Sequence, residues 1–183
     1  MKIAAATTAF PRHVYDQEAL TERIVELFAG GAGGGGARGA ERIRSLHAHF
    51  GIEPRHLTLP LEAYGTPTDF TAANAAWLDG ALEIGERACR DALAAAGLEP
   101  SDVDAIYFST VTGLASPSLD ARLANRMGLR SDVRRVPMFG LGCVAGAAAV
   151  SRAADFVRGA PRGVALVLCV ELCSLTLQTG DRS

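Results

Sequence analysis

The stretch from Val133 to Val170 constrains the fold most, because it alternates two strand patterns with one helix pattern. Residues 133–139 predict a strand, and a glycine-rich turn at 140–146 leads into an alanine-rich helix that ends at Gly159. Residues 163–170 are a continuous apolar run, which is typical of a strand buried on both faces. Such alternation favours an α/β fold with helices on both faces of a mixed or parallel sheet.

The rest of the chain carries the same alternation. We predict strands over residues 3–9 and 102–110, and helices over residues 17–28, 71–96 and 119–127 and around 42–49. Asp16 suits an N-cap, and Gly97 and Gly128 suit the C-terminal ends of helices. In the long helix, the predicted buried stripe is Ala75, Leu78, Leu82, Ala88, Ala92 and Ala95.

Composition excludes several classes of partner. The chain has 183 residues, an ordinary size for one domain, and its net charge is −2. Binding of nucleic acid would need a basic patch or stripe, so we do not expect nucleic acid as the main partner. No apolar run reaches the roughly 18 residues of a membrane span, so we expect no membrane span.

Four cysteines stand at positions 89, 143, 169 and 173, without a CxxC pair and without a histidine close by. These spacings do not match a zinc site, so we expect no bound metal. So few cysteines do not suggest a secreted disulfide framework either. We therefore expect reduced thiols in the cytoplasm, one of which is a candidate nucleophile.

Glycine dominates residues 30–36. A phosphate-binding loop would need a preceding strand and a following lysine with serine or threonine, and none of these is present. We therefore interpret residues 30–39 as a flexible surface insertion.

The turn at Gly140-Leu141-Gly142-Cys143 carries the candidate chemistry. It places Cys143 in the first turn of a helix, where unpaired N–H groups and the helix dipole favour an anion such as a thiolate. A thiol on a sharp strand-to-helix turn suits a nucleophile.

Two other interpretations of this turn remain open. Cys143 could be a small buried side chain at a helix start. Alternatively, Gly140, Gly142 and Gly146 could form a dinucleotide-binding turn, with Glu171 after the next strand as the ribose acceptor. Against that alternative, the spacing is GxGxxxG rather than GxGxxG.

Several segments in order resemble the type III polyketide synthases, the chalcone and stilbene synthase family. They are Asp102–Ile106, Ser109–Gly113, Pro117–Asp120, Met127–Arg130 and Gly140–Ala147, and the resemblance extends over residues 1–183. The segment from Cys169 to Leu175 is similar to the bacterial branch. The cysteine turn alone would fit other thiolase-fold condensing enzymes, and Thr112-Gly113 with Pro117–Asp120 narrows the resemblance to type III.

This resemblance implies a thiolase-like α/β fold, of which the chain is the N-terminal half, with layers in the order αβαβα and a mixed sheet. It implies a homodimeric enzyme that condenses a starter acyl-CoA with malonyl-CoA on a cysteine thioester. The CoA thioesters are substrates, and no separate cofactor is expected. Cys143 matches the nucleophile, and the matched cavity positions are Thr112, Ser116, Glu171, Cys173 and Thr176.

The family carries three spaced basic residues near the mouth of its tunnel, where they bind CoA. The matching positions are Arg42, Ser45 and His49, so the middle position departs from the pattern. The resemblance therefore implies that Arg42 and His49 bind CoA phosphates, although a solvated basic face would give the same pattern.

The family's chemistry also needs a histidine and an asparagine from its second half. All four histidines here, at positions 13, 47, 49 and 56, precede the cysteine turn and do not match. We therefore expect a fragment, a truncated gene product or one piece of a split enzyme, lacking the C-terminal thiolase-like half. A catalytically dead remnant is the alternative.

Overall fold

The computed structural model describes residues 2–29, 35–65 and 69–178, and the chain divides into two compact units. The first unit comprises the described residues up to Phe10 together with Asn74–Leu172. The second comprises the described residues from Pro11 to Ala73 and those from Cys173 onward. The helices are α1 (Gln17–Ala29), α2 (Gly36–Ala48), α3 (Phe70–Ala96), α4 (Leu119–Met127) and α5 (Ala145–Gly159). The strands are β1 (His13–Tyr15), β2 (Arg55–Leu57), β3 (Ala105–Thr110), β4 (Arg134–Phe139) and β5 (Ala165–Cys169).

A parallel sheet is the framework of the first unit. Its described strands lie in the order β4-β3-β5, so β3 is central, and Tyr107 lies between Val136 of β4 and Val167 of β5. All six residues of β3 are buried. The parallel order agrees with the strand–helix alternation of the sequence, because parallel neighbours need a crossover connection.

Helices cover both faces of this sheet. On one face, Ala149 and Ala153 of α5 pack against Ala105 and Tyr107 of β3. On the other, Gly85 of α3 lies against the side chains of Leu123, Leu168 and Val170. Successive strand residues point to opposite faces, so the odd-numbered residues of β3 face α5 while the even-numbered ones face α3 and α4. The α/β layers expected from the sequence are therefore confirmed.

Local signals fixed most helix ends. Asp16 caps α1 as predicted, since its Oδ1 accepts a hydrogen bond of 2.7 Å from the N–H of Ala19. Gly97 ends α3 with a positive φ of 69°, and the N–H of Leu98 donates back to the carbonyl of Leu93. Gly128 ends α4 in the same left-handed conformation.

The buried stripe predicted for α3 is wrong. Ala75 and Ala95 are exposed, and the buried residues are Trp77, Ala81, Ile84, Gly85, Cys89 and Leu93. The large Trp77 and the close approach of the sheet at Gly85 set the buried face, whereas alanines are small enough to lie on any side. The positions of the apolar residues alone therefore misplaced the buried face of α3 by about one residue.

Two strand predictions also need correction. The run 163–170 is predicted to be buried on both faces, but in β5 only Leu166 and Leu168 are fully buried, Ala165 and Val167 on the other face are half-buried, and Cys169 is exposed. The run 3–9 forms no strand; instead the hydroxyl of Thr7 donates to the carbonyl of Ala88 on α3, at 2.9 Å.

The second unit contains the antiparallel pair β1 and β2 and the packed helices α1 and α2. The bond from the Nδ1 of His47 to the hydroxyl of Thr21, at 2.9 Å, joins the two helices. Of the expected insertion at 30–39, residues 30–34 lie outside the described residues, while Gly36 and the residues after it form the first turn of α2. Among the residues that the structure describes, no helix has the length and apolar character needed to cross a bilayer.

Candidate active site

Cys143 lies on the sharp turn that joins β4 to α5. The turn needs glycine at two points, because Gly140 and Gly142 adopt φ values of 83° and 55°. Cys143 is the middle residue of a 3₁₀ turn, Gly142–Val144, that continues directly into α5. The predicted position at a helix start is confirmed, and the thiol is exposed rather than buried.

Two further predicted residues follow the neighbouring strands. Thr112 comes two residues after β3 ends, Glu171 two residues after β5 ends, and Cys143 four residues after β4 ends. Thr110 is opposite Phe139 and Ser109 is opposite Cys169, so the three strands end level with one another. The carboxyl edge of a parallel sheet is where α/β proteins bind their ligands, and it carries Cys143, Thr112 and Glu171 here.

Glu171 and Thr112 form one hydrogen-bonded network. The Thr112 hydroxyl donates to Oε2 of Glu171 at 2.9 Å, and the N–H of Val111 donates to both carboxylate oxygens at 3.1 and 3.2 Å. The Thr112 oxygen in turn accepts from the N–H of Leu172 at 3.0 Å. These bonds fix the ends of β3 and β5 relative to each other. They also occupy the carboxylate that a dinucleotide site would need for its ribose.

Sequence reasoning missed two residues of α3 that hold the segment after β3. The amide of Asn74 bonds both backbone groups of Leu114: its Nδ2 donates to the Leu114 carbonyl and its Oδ1 accepts from the Leu114 N–H, each at 2.8 Å. Trp77, one turn further along α3, lies directly against Gly113. Asn74 and Gly113 are about 40 positions apart in sequence, so no local pattern could have linked them.

A cavity of about 200 Å³ lies beside this segment. Its lining is mostly apolar and includes Trp77, Phe108, Leu114, Pro137 and Phe139. Phe139 is four residues before Cys143, although Cys143 itself does not line the cavity. Ser116, predicted at the cavity from the resemblance, is exposed on the same segment between the lining residues Ala115 and Ser118.

Cys173 and Thr176 belong to the second unit, in a 3₁₀ turn over Cys173–Thr176. The Thr176 hydroxyl donates to the Cys173 carbonyl at 2.8 Å, and both residues are exposed. Their role at a cavity stays a prediction.

Arg42 and His49 lie on α2 and at its C-terminal end in the second unit, and both are exposed. Residues seven apart share one face of a helix, so the pair lies on one exposed stripe with Ser45 between them. The Nδ1 of His49 donates to the Ser45 carbonyl at 2.6 Å. Arg44, adjacent to the stripe, instead forms a two-bond ion pair with Glu22 at 2.7 and 2.8 Å.

The other cysteines of the first unit are held in the thiol form. Burial, with a smaller contribution from the charge of Glu86, raises the pKa of Cys89 to about 12. Burial and the neighbouring charge of Glu171 also raise the pKa of Cys169. Like charges and desolvation both disfavour a thiolate, so neither residue suits a nucleophile.

Comparison with known proteins shows the family to which this fold and this sequence belong. Residues 1–182 match the family described as chalcone and stilbene synthases, N-terminal domain. The chain belongs to this family. A 1,3,6,8-tetrahydroxynaphthalene synthase of Streptomyces peucetius subsp. caesius is 51% identical over 96% of the chain and 45% of its own length. A phloroglucinol synthase of Pseudomonas fluorescens is 34% identical over 94% of the chain and 48% of its own length.

Solved structures of the family confirm the thiolase-like fold. The 1,3,6,8-tetrahydroxynaphthalene synthase of Streptomyces coelicolor A3(2), a bacterial type III polyketide synthase, superposes with a TM-score of 0.85 and 30% identity, over 98% of this chain and 49% of that one. The type III polyketide synthase domain of Steely1 from Dictyostelium gives 0.86 and 26% identity. The chain spans about half the length of the curated relatives that it matches.

Proposed function

We propose that this chain is the nucleophile-bearing half of a type III polyketide synthase, an acyltransferase that condenses an acyl-CoA starter with malonyl-CoA. The observation that carries the proposal is the exposed Cys143 on a glycine turn at a helix start, at the same sheet edge as the Thr112–Glu171 network. Because the chain belongs to the chalcone and stilbene synthase family, we interpret Cys143 as the nucleophile.

In the proposed reaction, the Cys143 thiolate attacks the carbonyl carbon of the starter thioester and CoA leaves as its thiolate. Malonyl-CoA then loses CO₂, and the resulting enolate carbon attacks the acyl group on Cys143. The cysteine thiolate leaves, and the chain, longer by two carbons, is now a thioester of the second CoA. Repeated extension and ring closure complete the synthesis, and Ser116 would face the growing chain.

This chemistry needs an anion-stabilising environment at two points. No side chain caps the 3₁₀ turn Gly142–Val144 or the start of α5, because the residues that precede them are Leu141 and Val144. The backbone N–H groups at this helix start can therefore face the Cys143 thiolate. The enolate oxygen needs donors of its own, and the resemblance implies that a histidine and an asparagine of the second half supply them.

We further propose that the exposed stripe of Arg42 and His49 binds the phosphates of CoA, which remains a substrate. The intact enzyme would work as a homodimer in the cytoplasm. Exposed apolar side chains around the cysteine turn support a packed interface there: Phe139 and Val144 are each 58% exposed.

The test is acyl transfer to the thiol. The chain is incubated with an acyl-CoA, and the acylated residue is mapped by mass spectrometry. We expect a thioester on Cys143 that Cys143→Ala abolishes and Cys173→Ala preserves. Acylation that persists in Cys143→Ala would contradict the proposed nucleophile.

A further inference from the structure

The segment between β3 and α4, residues 111–118, carries Thr112 and Ser116 and forms part of the wall of the cavity. Its backbone has no regular structure of its own, so other elements must set its shape. Two restraints come from neighbouring strand ends, where Glu171 accepts from Thr112 and Val111.

Further restraints come from α3. Asn74 pairs with both backbone groups of Leu114 through two bonds of 2.8 Å, as an adjacent strand would. An amide is the side chain that fits this role, because it offers one donor and one acceptor in a plane. Leu114 itself is exposed, so packing of its side chain does not hold the segment.

Trp77 packs against the same segment. It is 1% exposed, and a Cβ added to Gly113 would lie 2.0 Å from its Cδ2. The indole ring therefore packs directly against the backbone of residue 113, which can approach so closely only because this residue is glycine. Asn74 and Trp77 are three residues apart on α3 and so share one face of the helix.

The residues on either side of the restrained Gly113 and Leu114 belong to the proposed site. Thr112 precedes the restrained Gly113 directly, and its hydroxyl lies 2.9 Å from Glu171 at the sheet edge that also carries Cys143. A shift of Gly113 and Leu114 would move Thr112 on one side and Ser116 on the other. The Cys143 turn belongs to β4 and α5 and receives no hydrogen bond from Asn74.

We propose that Asn74 and Trp77 are positioning residues for chain extension: they hold residues 112–116 in the shape that the growing acyl chain meets. The role rests on the proposed function, since it assigns these residues to the extension step and not to the loading of Cys143. Loading would depend on the cysteine turn, whereas extension would depend on the clamped segment as well.

The experiment uses this chain together with the second half of a related synthase, with the variants Asn74→Ala and Asn74→Asp. Asn125→Ala is the matched control, because Asn125 is an exposed asparagine on α4. Three quantities are measured: hydrogen exchange at the Leu114 amide, acylation of Cys143 by a starter acyl-CoA, and the yield and chain length of products with malonyl-CoA.

For Asn74→Ala we expect exchange at Leu114 to rise about tenfold, as fits the loss of one backbone-protecting hydrogen bond. Acylation of Cys143 should stay within about twofold of wild type, while extension falls about tenfold and products shorten, a split that general destabilisation would not produce. Asn74→Asp keeps the acceptor for the Leu114 N–H, so it should preserve most of the protection and part of the extension.

Equal losses of acylation and extension, or the same behaviour as Asn125→Ala, would overturn the positioning role. Unchanged exchange at Leu114 would show that Asn74 does not restrain the segment and would also overturn it. If wild-type enzyme were not acylated at Cys143, the proposed function would fail, whereas the exchange data would still report whether the clamp exists.

Discussion

At the scale of single residues, the candidate nucleophile could be predicted from the sequence, whereas its supporting residues could not. The glycines around Cys143 form a local pattern, and local patterns report sharp turns faithfully. Asn74 and Trp77 act on residues about 40 positions away, and that distance leaves no periodic signal. The Thr112–Glu171 bond joins positions about 60 apart, and only the resemblance to a family had singled out both residues.

We expect thiol reactivity to separate Cys143 from the other cysteines of its unit. Burial raises the pKa of Cys89, and partial desolvation with the nearby charge of Glu171 raises that of the exposed Cys169, whereas Cys143 is exposed at a helix start. We expect iodoacetamide near neutral pH to alkylate Cys143 first and Cys89 last, as read by peptide mass spectrometry. Unfolding in urea should equalise the rates. Labelling of Cys89 or Cys169 before Cys143 in the folded protein would contradict the assignment.

His47 should make the stability of the second unit depend on pH. Partial burial, and then the positive charge of Arg55, lower its pKa from 6.5, so the folded state disfavours the protonated ring. The unfolded chain therefore binds more protons just below pH 6.5, and stability falls as the pH drops through that range.

Urea unfolding at several pH values, followed by circular dichroism, measures this effect. His47→Gln should flatten the decline below pH 6.5, the unfolded pKa of the ring, whereas the exposed His49→Gln should leave it in place. A decline of equal slope in His47→Gln would assign the pH dependence to other groups.

At the scale of elements, the sequence predicted helices better than strands. The ends of α1, α3 and α4 follow from caps, which are local. The burial of β5 depends on which elements cover its two faces, and the apolar run at 163–170 does not specify them. The helical start at Gly36 was missed because glycine disfavours helix, so the run of glycines predicted a loop up to residue 39.

Alanine substitution should have opposite effects on stability at Gly113, which packs against α3, and at Gly146, which lies in α5. Gly113→Ala would place a Cβ 2.0 Å from the Trp77 ring, which should cost about 1–3 kcal/mol of unfolding free energy through overpacking. Gly146→Ala meets nothing within 4 Å inside α5 and should gain about 0.5–1 kcal/mol through helix propensity. Chemical denaturation of both variants tests the pair. A stable Gly113→Ala protein would show that the indole can move aside.

The stripe of Arg42 and His49 on α2 also gives a prediction for one element. In the intact enzyme we expect Arg42→Ala to raise KM for the acyl-CoA about threefold to tenfold, with a smaller change in kcat and greater sensitivity to salt. Arg44→Ala is the matched control, because it removes the same charge from the side that pairs with Glu22. Equal KM values for the two variants would leave α2 as a solvated basic face.

At the scale of the whole molecule, the chain should load but not extend. Its four histidines all precede residue 60, and none follows the sheet edge that carries Cys143. Decarboxylation develops charge on an enolate oxygen that needs positioned donors, worth roughly 3 kcal/mol each. The purified 183-residue chain should therefore accept an acyl group from acyl-CoA and release no more than background CO₂ from labelled malonyl-CoA.

Adding the second half of a related synthase is the control, and product should appear only with it. Light scattering on the same samples should show association of the chain alone, because apolar side chains such as Phe139 and Val144 are exposed. Multiple turnovers of CO₂ release by the chain alone would contradict this account.

Pro137 has a consequence for how copies of this chain can associate. It lies within β4, at an edge of the described sheet and opposite Phe108. Proline fits a strand where its nitrogen faces away from the ladder, so the outer side of β4 lacks a donor midway along its length. Exposed apolar side chains can still stabilise contacts between copies. The missing N–H of Pro137, however, interrupts the continuous backbone hydrogen bonding on which fibril growth depends. Association through this edge should therefore stop at small assemblies, and Pro137→Val should favour fibrils.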